Sequence, residues 1–331
     1  MDTDAAVTGA IVLAAGFGSA LATVLARRWL SHHAILDRPG ARSSHATPVP
    51  RGAGLAIVLV LATAWLALAA LDPAPTDAPG VALAAIALAV VSFFDDLRGL
   101  PVVLRLLAHF AAVAAALSWF PPEALVFQHL LPAPLDRAAT ALLWVWFINL
   151  YNFMDGIDGI TGVETACLGV GVALVAALGG HAVAAAGLAA AAAALGFLRF
   201  NWQPASVFLG DAGSVPLGFV MGWLLLVLAR DGAWAPALIL PLYYLADATV
   251  TLVRRAARGD ALWRAHRDHF YQRALRGNDH AQVALRVLAG DLGLVALALL
   301  ALKRPLVALG LAALLCAAML AAFARRGMRR R

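Results

Sequence analysis

Charge is what this sequence lacks. Only 13% of its 331 residues are Asp, Glu, Lys or Arg, while 63% are apolar. A soluble domain carries about a quarter of charged residues, so a water-soluble globular fold is excluded, and lipid is the solvent to reason with. Cysteine is scarce as well: Cys167 and Cys316 both lie inside apolar runs, which excludes a disulfide framework and a thiolate metal knot. The formal net charge of +6 sits in arginines flanking apolar runs, so it anchors a membrane protein and implies no nucleic-acid partner. The opening MDTDAAVTGA is acidic and lacks the basic region of a cleavable signal, so the first apolar run is expected to stay as an anchor.

Apolar runs long enough to cross about 30 Å of hydrocarbon predict an all-α, polytopic membrane protein of ten to eleven helices. They fall at 7–30, 52–71, 81–94, 101–120, 138–149, 160–178, 182–198, 215–229, 233–253, 283–302 and 305–323. Basic residues favour the cytoplasmic side of short loops. Of the 25 Lys and Arg, most fall on one side of this arrangement, so the N-terminus is expected outside and the C-terminus in the cytoplasm. The chain reads as one domain, 1–331, whose cytoplasmic loops lie near 31–51, 95–100, 149–160, 199–214 and 254–282.

Against this background the stretch NLYNFMDGIDGITG stands out. Asn149, Asn152, Asp155 and Asp158 fall within about three helical turns, and polar groups at a membrane stay there when they face water, metal or substrate. VVSFFDDLRGLP ends a helix on Asp95 and Asp96, where carboxylates oppose the helix dipole, so a metal, proton or phosphate site is expected there. Arg98 follows, and Arg105 and His109 share a face one turn into the next helix. Arg105 reads either as a snorkelling side chain or as a phosphate contact.

The remaining loops carry similar groups. LDRPGARSSHATPVPRGAG places Arg38, Arg42, His45 and Arg51 in a segment that prolines and glycines keep from being helical. It is either a solvated connector or a loop that meets a phosphorylated ligand. GDAGS presents Asp211 in a glycine turn just before a helix, as a cap or as a carboxylate that metal and phosphate approach. Asp247 lies two turns from a basic helix end and is expected to face the site. WRAHRDHFYQRAL brings His266 and His269 onto one face, where phosphate contact or proton transfer suits them better than zinc.

Every chemically loaded stretch thus falls at the cytoplasmic side. Carboxylates and amides ringed by arginines fit a divalent metal holding a pyrophosphate while a membrane-anchored nucleophile attacks. A cation-coupled transporter would place such groups nearer the midplane on repeated halves, and a scaffold subunit would need none of them.

The chain resembles the polyprenyl-phosphate N-acetylhexosamine-1-phosphate transferase superfamily, which also contains phospho-MurNAc-pentapeptide translocase. DRPGARSSHATPVPRGAG, FFDDLRGLP, NLYNFMDGIDGITG, FLGDAGS and the last His-containing loop occur in the family's order. The resemblance implies transfer of a sugar-1-phosphate from a UDP-sugar to undecaprenyl phosphate with release of UMP. It implies magnesium, with manganese as a substitute, held by Asp211 and Asn152, and it allows a homodimer. Asp95, Asp96, Asp211, His266 and His269 take the catalytic places. Asn149, Asn152, Asp155, Asp158, Arg51, Arg98, Arg105 and His45 take the substrate places, with Asp158 near uracil. Two departures stand out: Arg98 where the family commonly has lysine, and His266–Arg267–Asp268–His269 where many members have His-x-His-His. That form, followed by FYQRA, resembles the branch that starts O-antigen and related polysaccharides with modified sugars. Phospho-MurNAc-pentapeptide transfer is the alternative.

Overall fold

The computed structural model describes residues 2–39, 47–71, 75, 77–121, 124–261 and 266–328. Thirteen α-helices carry it: α1 (Asp2–His32), α2 (Gly54–Ala69), α3 (Ala78–Arg98), α4 (Val102–Leu117), α5 (Ala133–Met154), α6 (Ile160–Gly179), α7 (Ala184–Asn201), α8 (Asp211–Arg230), α9 (Trp234–Ile239), α10 (Leu242–Ala257), α11 (Phe270–Ala274), α12 (His280–Ala301) and α13 (Pro305–Met328). Among the described residues, seven of these helices, α1, α3, α6, α7, α8, α12 and α13, are long and apolar enough to cross a membrane. Shorter apolar helices, α2 and α4, accompany them. The protein is a multi-pass membrane protein.

Two expectations need correction. The run at 233–253 is not one helix: it breaks into α9 and α10 around Leu240 and Pro241. Proline has no N–H for the helical ladder and crowds the preceding turn, whereas the continuous apolar character of the run conceals the break. α8 starts at Asp211 and not at 215, which puts that aspartate inside the first turn, behind a Gly210 cap. The all-α expectation holds, with one short two-stranded ladder beside the helices. Strands β1 (Leu36–Asp37) and β2 (Val49–Pro50) pair antiparallel, and Arg51 bridges to Phe208. This ladder ties the loop after α1 to the loop before α8.

α8 is the centre of the bundle, almost wholly buried, whereas α1 and α13 lie at its edge. Small residues let it sit there. A Cβ on Gly54 would overlap the Gly213 backbone, and one on Gly213 the Leu209 side chain, so the starts of α2 and α8 approach at backbone distance. Gly169 and Gly187 do the same for α6 and α7, as small residues do where helices pack in lipid. At the far end of α8, buried Asp77 accepts from Trp223 Nε1 at 2.7 Å and from Arg230 at 3.0 Å. The buried charge is paired and hydrogen-bonded, as burial requires.

Candidate active site

The start of α8 is where the loops converge. Gly210 adopts φ +73°, a left-handed conformation open to glycine, and a Cβ there would run into Asp96 Oδ2. The turn therefore lets a carboxylate from another helix reach the exposed N–H groups of α8. Asp96 does so, accepting from the backbone N–H of Asp211 at 3.1 Å and of Ala212 at 3.0 Å. Its side chain is 1% exposed. The sequence places Asp96 beside Asp95 as one pair; the structure separates their tasks. Neighbouring helix positions point about 100° apart, so Asp96 turns inward as the cap of α8 while Asp95 turns to the cleft.

Arg51 binds the group together. Its Nη2 lies 2.9 Å from Asp96 Oδ1 and 2.9 Å from Asp211 Oδ1. Burial alone would lower its pKa, but the charges of Asp96 and Asp211 hold it above the usual range. On the other side Arg105 Nη1 lies 3.4 Å from Asp95 Oδ2 and 3.9 Å from Asp211 Oδ2. Asp95 also accepts the Leu100 N–H at 2.5 Å. Asp211, 20% exposed, is the most accessible carboxylate of the three. It stands between two guanidiniums at the edge of a cleft of about 310 Å³.

That cleft is lined by Asp95, Arg105, His109, Asn149, Asn152, Asp211, His266, His269 and Gln272, with apolar walls from Leu88, Val91, Leu106 and Val215. Asn152 gives its Nδ2 hydrogen to Ser214 Oγ at 2.8 Å, which leaves its carbonyl oxygen free of that bond. Asn149 Nδ2 reaches the Val145 carbonyl at 2.7 Å and His109 Nδ1 at 3.2 Å. His269 is held from beneath by Asp247, whose Oδ1 lies 3.2 Å from Nδ1. Opposite a carboxylate oxygen, which accepts, Nδ1 is the donor and Nε2 remains for the cleft. The same buried Asp247 accepts the N–H groups of Phe270 and Tyr271 at 3.0 Å each, so one carboxylate starts α11 and orients the histidine.

His266 stacks on His269 with ring centroids 5.0 Å apart. Burial, His269 and Arg255 push its pKa down to about 4, so it is neutral at neutral pH. Asp268 points away, bound by Arg255, and that bond holds it below the usual carboxylate range against the effect of burial.

Other sequence-derived candidates lie elsewhere. Asp158 Oδ2 accepts the Ala205 N–H at 3.0 Å and its Oδ1 lies 3.1 Å from His280 Nδ1, bracing the start of α6 against α12. Asp155 accepts the Thr161 hydroxyl at 2.7 Å and is pushed up to about 7, first by burial and then by Asp211 and Asp96, with Thr161 and Arg51 opposing. Neither lines the cleft. Arg98 is exposed at the last residue of α3 and also lies off it; Arg105 is the guanidinium that meets Asp95. His45, with Arg42, falls outside the described residues. Gln272 escaped the sequence reading, although its position three residues after His269 puts it on the same face.

Comparison with known proteins adds a likeness in sequence. Residues 78–229, the span from α3 through most of α8, match the model of glycosyl transferase family 4. The chain is similar to that family over a little under half of its length. It is 29% identical over 330 aligned residues to a decaprenyl-phosphate N-acetylglucosaminephosphotransferase of Mycolicibacterium smegmatis, covering 86% of this chain and 81% of that one. A probable undecaprenyl-phosphate N-acetylglucosaminyl 1-phosphate transferase of Bacillus subtilis is 24% identical over 72% of this chain and 69% of its own. A phospho-N-acetylmuramoyl-pentapeptide-transferase of Lacticaseibacillus paracasei is 34% identical, over 38% of this chain and 42% of its own.

Proposed function

We propose that the protein transfers an N-acetylhexosamine 1-phosphate, or a 6-deoxy derivative of one, from its UDP-sugar to undecaprenyl phosphate. The transfer would take place on the cytoplasmic face of a bacterial inner membrane, as the first membrane step of O-antigen or related polysaccharide synthesis. The observation that supports this most is Asp211 at the cleft edge between Arg51 and Arg105. A partly exposed carboxylate flanked by guanidiniums suits a metal–pyrophosphate complex better than any single neutral ligand.

A phosphate oxygen of the lipid forms a bond to the phosphorus that carries the sugar, the bond from that phosphorus to the bridging oxygen breaks, and UMP leaves with the bond's electrons. Asp211 and the Asn152 carbonyl would hold magnesium. They are oxygen donors of the hard kind that magnesium takes, and among the described residues no cluster of three His, Cys, Asp or Glu closes a site alone, so water and substrate phosphate would complete the shell. When bound, the metal neutralises pyrophosphate charge. Arg105 faces the incoming phosphate beside Asp95, and Arg51 fixes Asp211 and shares its charge. His269, with Nε2 presented by Asp247, donates to or accepts from a phosphate oxygen. A phosphate monoester is already largely ionised near neutral pH, so Asp95 serves better to set Arg105 than to take a proton.

UMP release by the purified protein tests this, with undecaprenyl phosphate, magnesium and in turn UDP-GlcNAc, UDP-GalNAc, their 6-deoxy derivatives and UDP-MurNAc-pentapeptide. Release that needs lipid, metal and one of the first four donors supports the reading. Release from the pentapeptide donor alone moves the chain to peptidoglycan synthesis, and release that persists without lipid overturns the acceptor.

A further inference from the structure

The end of α10 and the short α11 hold arginines that the cleft does not use. The Phe270 ring is buried, and two guanidiniums lie over it, Arg254 at 5.5 Å and Arg273 at 5.9 Å from its centroid. Among the described residues neither has a carboxylate partner, since Asp268 is taken by Arg255, and Asp260 by Arg255 and Arg258. Burial, with Arg254, Arg276 and Arg258 near it, holds Arg273 below its usual range. Asp268 offsets part of this, but like charges gathered in excess repel, and an anion between them would relieve it.

The position says which anion. The exposed face of α10 runs through Val250 and Val253, 38% and 62% exposed, and then meets Arg254. Apolar surface that ends on arginine is the level at which acyl chains give way to headgroups. Scattered basic residues would satisfy orientation alone. Here one ring holds both guanidiniums over it, which brings two forks of donors together for phosphate oxygens. The device recurs at Phe200, with Arg27 at 5.8 Å and Arg199 at 5.9 Å.

We propose that Arg254 and Arg273 form a headgroup site for an anionic phospholipid, its phosphate diester held between the two guanidiniums and its chains lying along Val250 and Val253. The site is separate from the donor and acceptor of the transfer and depends only on the chain lying in a membrane. The bound lipid would fix the α10–α11 connection, and with it the start of the helix that follows His269.

Native mass spectrometry of the full chain, released from nanodiscs of phosphatidylcholine mixed with phosphatidylglycerol, reads the lipids it retains. The wild type should retain phosphatidylglycerol preferentially, and the R254Q/R273Q variant should lose at least about tenfold of that preference. R254K/R273K should fall between them, because ammonium groups keep the charge but not the fork; this variant also decides the matter if the glutamine form fails to fold. Equal retention of both lipids by the wild type, or an unchanged preference in both variants, overturns the site. Displacement of the lipid by inorganic phosphate would reassign it to free phosphate. A raised KM for undecaprenyl phosphate in R254Q/R273Q with lipid preference intact would reassign it to the carrier, and both results contradict the proposal.

Discussion

The carboxylate of Asp96 caps the helix that begins with Asp211, accepting that residue's own N–H at 3.1 Å. The place of Asp211 in the cleft therefore depends on a residue that does not line it. Asp96→Ala should remove both the cap and the counter-charge of Arg51, lowering stability by about 2 kcal/mol, the upper scale for a lost helix cap. Asp96→Asn, which keeps one acceptor oxygen, should lose less. Thermal unfolding in detergent ranks the two, and equal melting points for both variants and the wild type would refute the capping role.

Asp211→Asn leaves the α8 backbone and its cap in place but removes the charge between Arg51 and Arg105. Turnover should fall by roughly a hundredfold or more, the scale for loss of one central electrostatic group, with little change in melting point. Retained turnover with ordinary magnesium dependence would take Asp211 out of the centre.

How much of this could be read in advance depends on the range of the interaction. Long apolar runs announce their helices, because each spans lipid largely by itself. The break at Pro241 was hidden in such a run. The residue types of the site were legible for the same reason, since a carboxylate such as Asp95 or Asp211 at a membrane edge needs a partner. Which partner was not legible. Asp95 and Asp96 look alike as neighbours, and only the approach of Gly210 to Asp96 tells the cap from the cleft residue. Asp158 belonged by spacing to the polar cluster, yet its oxygens go to Ala205 and to His280, 122 positions away. No local pattern reports a contact of that span.

Asp155 gives a stability test with a defined sign. Its folded pKa of about 7 lies above the ordinary carboxylate value of 3.8, so the folded chain binds the proton more tightly than the unfolded one. Its contribution is then most favourable below about pH 4 and is lost as pH rises toward 7. Asp155→Asn should remove this part of the pH dependence. Melting temperature followed from pH 4 to 8, wild type minus variant, should slope downward over that window; a flat difference would contradict the shift.

His266 makes the opposite case. Its pKa of about 4 lies below the ordinary histidine value, so the stability it contributes is present above about pH 6.5 and fades as pH falls toward 4. At neutral pH it faces the cleft without charge. His266→Gln should therefore leave the activity–pH profile unchanged in shape between pH 6 and 8, while His269→Gln should lower turnover by about a hundredfold, the usual scale for a positioned proton-transfer group. A profile limb near pH 6.5 that disappears in His266→Gln would show that His266 carries a proton in the working enzyme.

Glu164 of α6 and Asp291 of α12 are 1% and 3% exposed and lie near each other, in packed helices that are long and apolar enough to cross the membrane. Among the described residues no other group donates a hydrogen bond to their four oxygens. Two bare carboxylates buried together away from water would repel strongly, and a hydrogen shared between them would relieve that repulsion and join the two helices. An amide can supply that hydrogen in its place. Glu164→Gln and Asp291→Asn should therefore keep near-native melting points, whereas Glu164→Ala, which strands a buried carboxylate, should cost about 3 kcal/mol or more. The infrared difference between wild type and Glu164→Gln should show the carbonyl stretch of a protonated carboxyl lost with the substitution. Without that band, and with Glu164→Ala as stable as Glu164→Gln, the two helices would be held by packing alone.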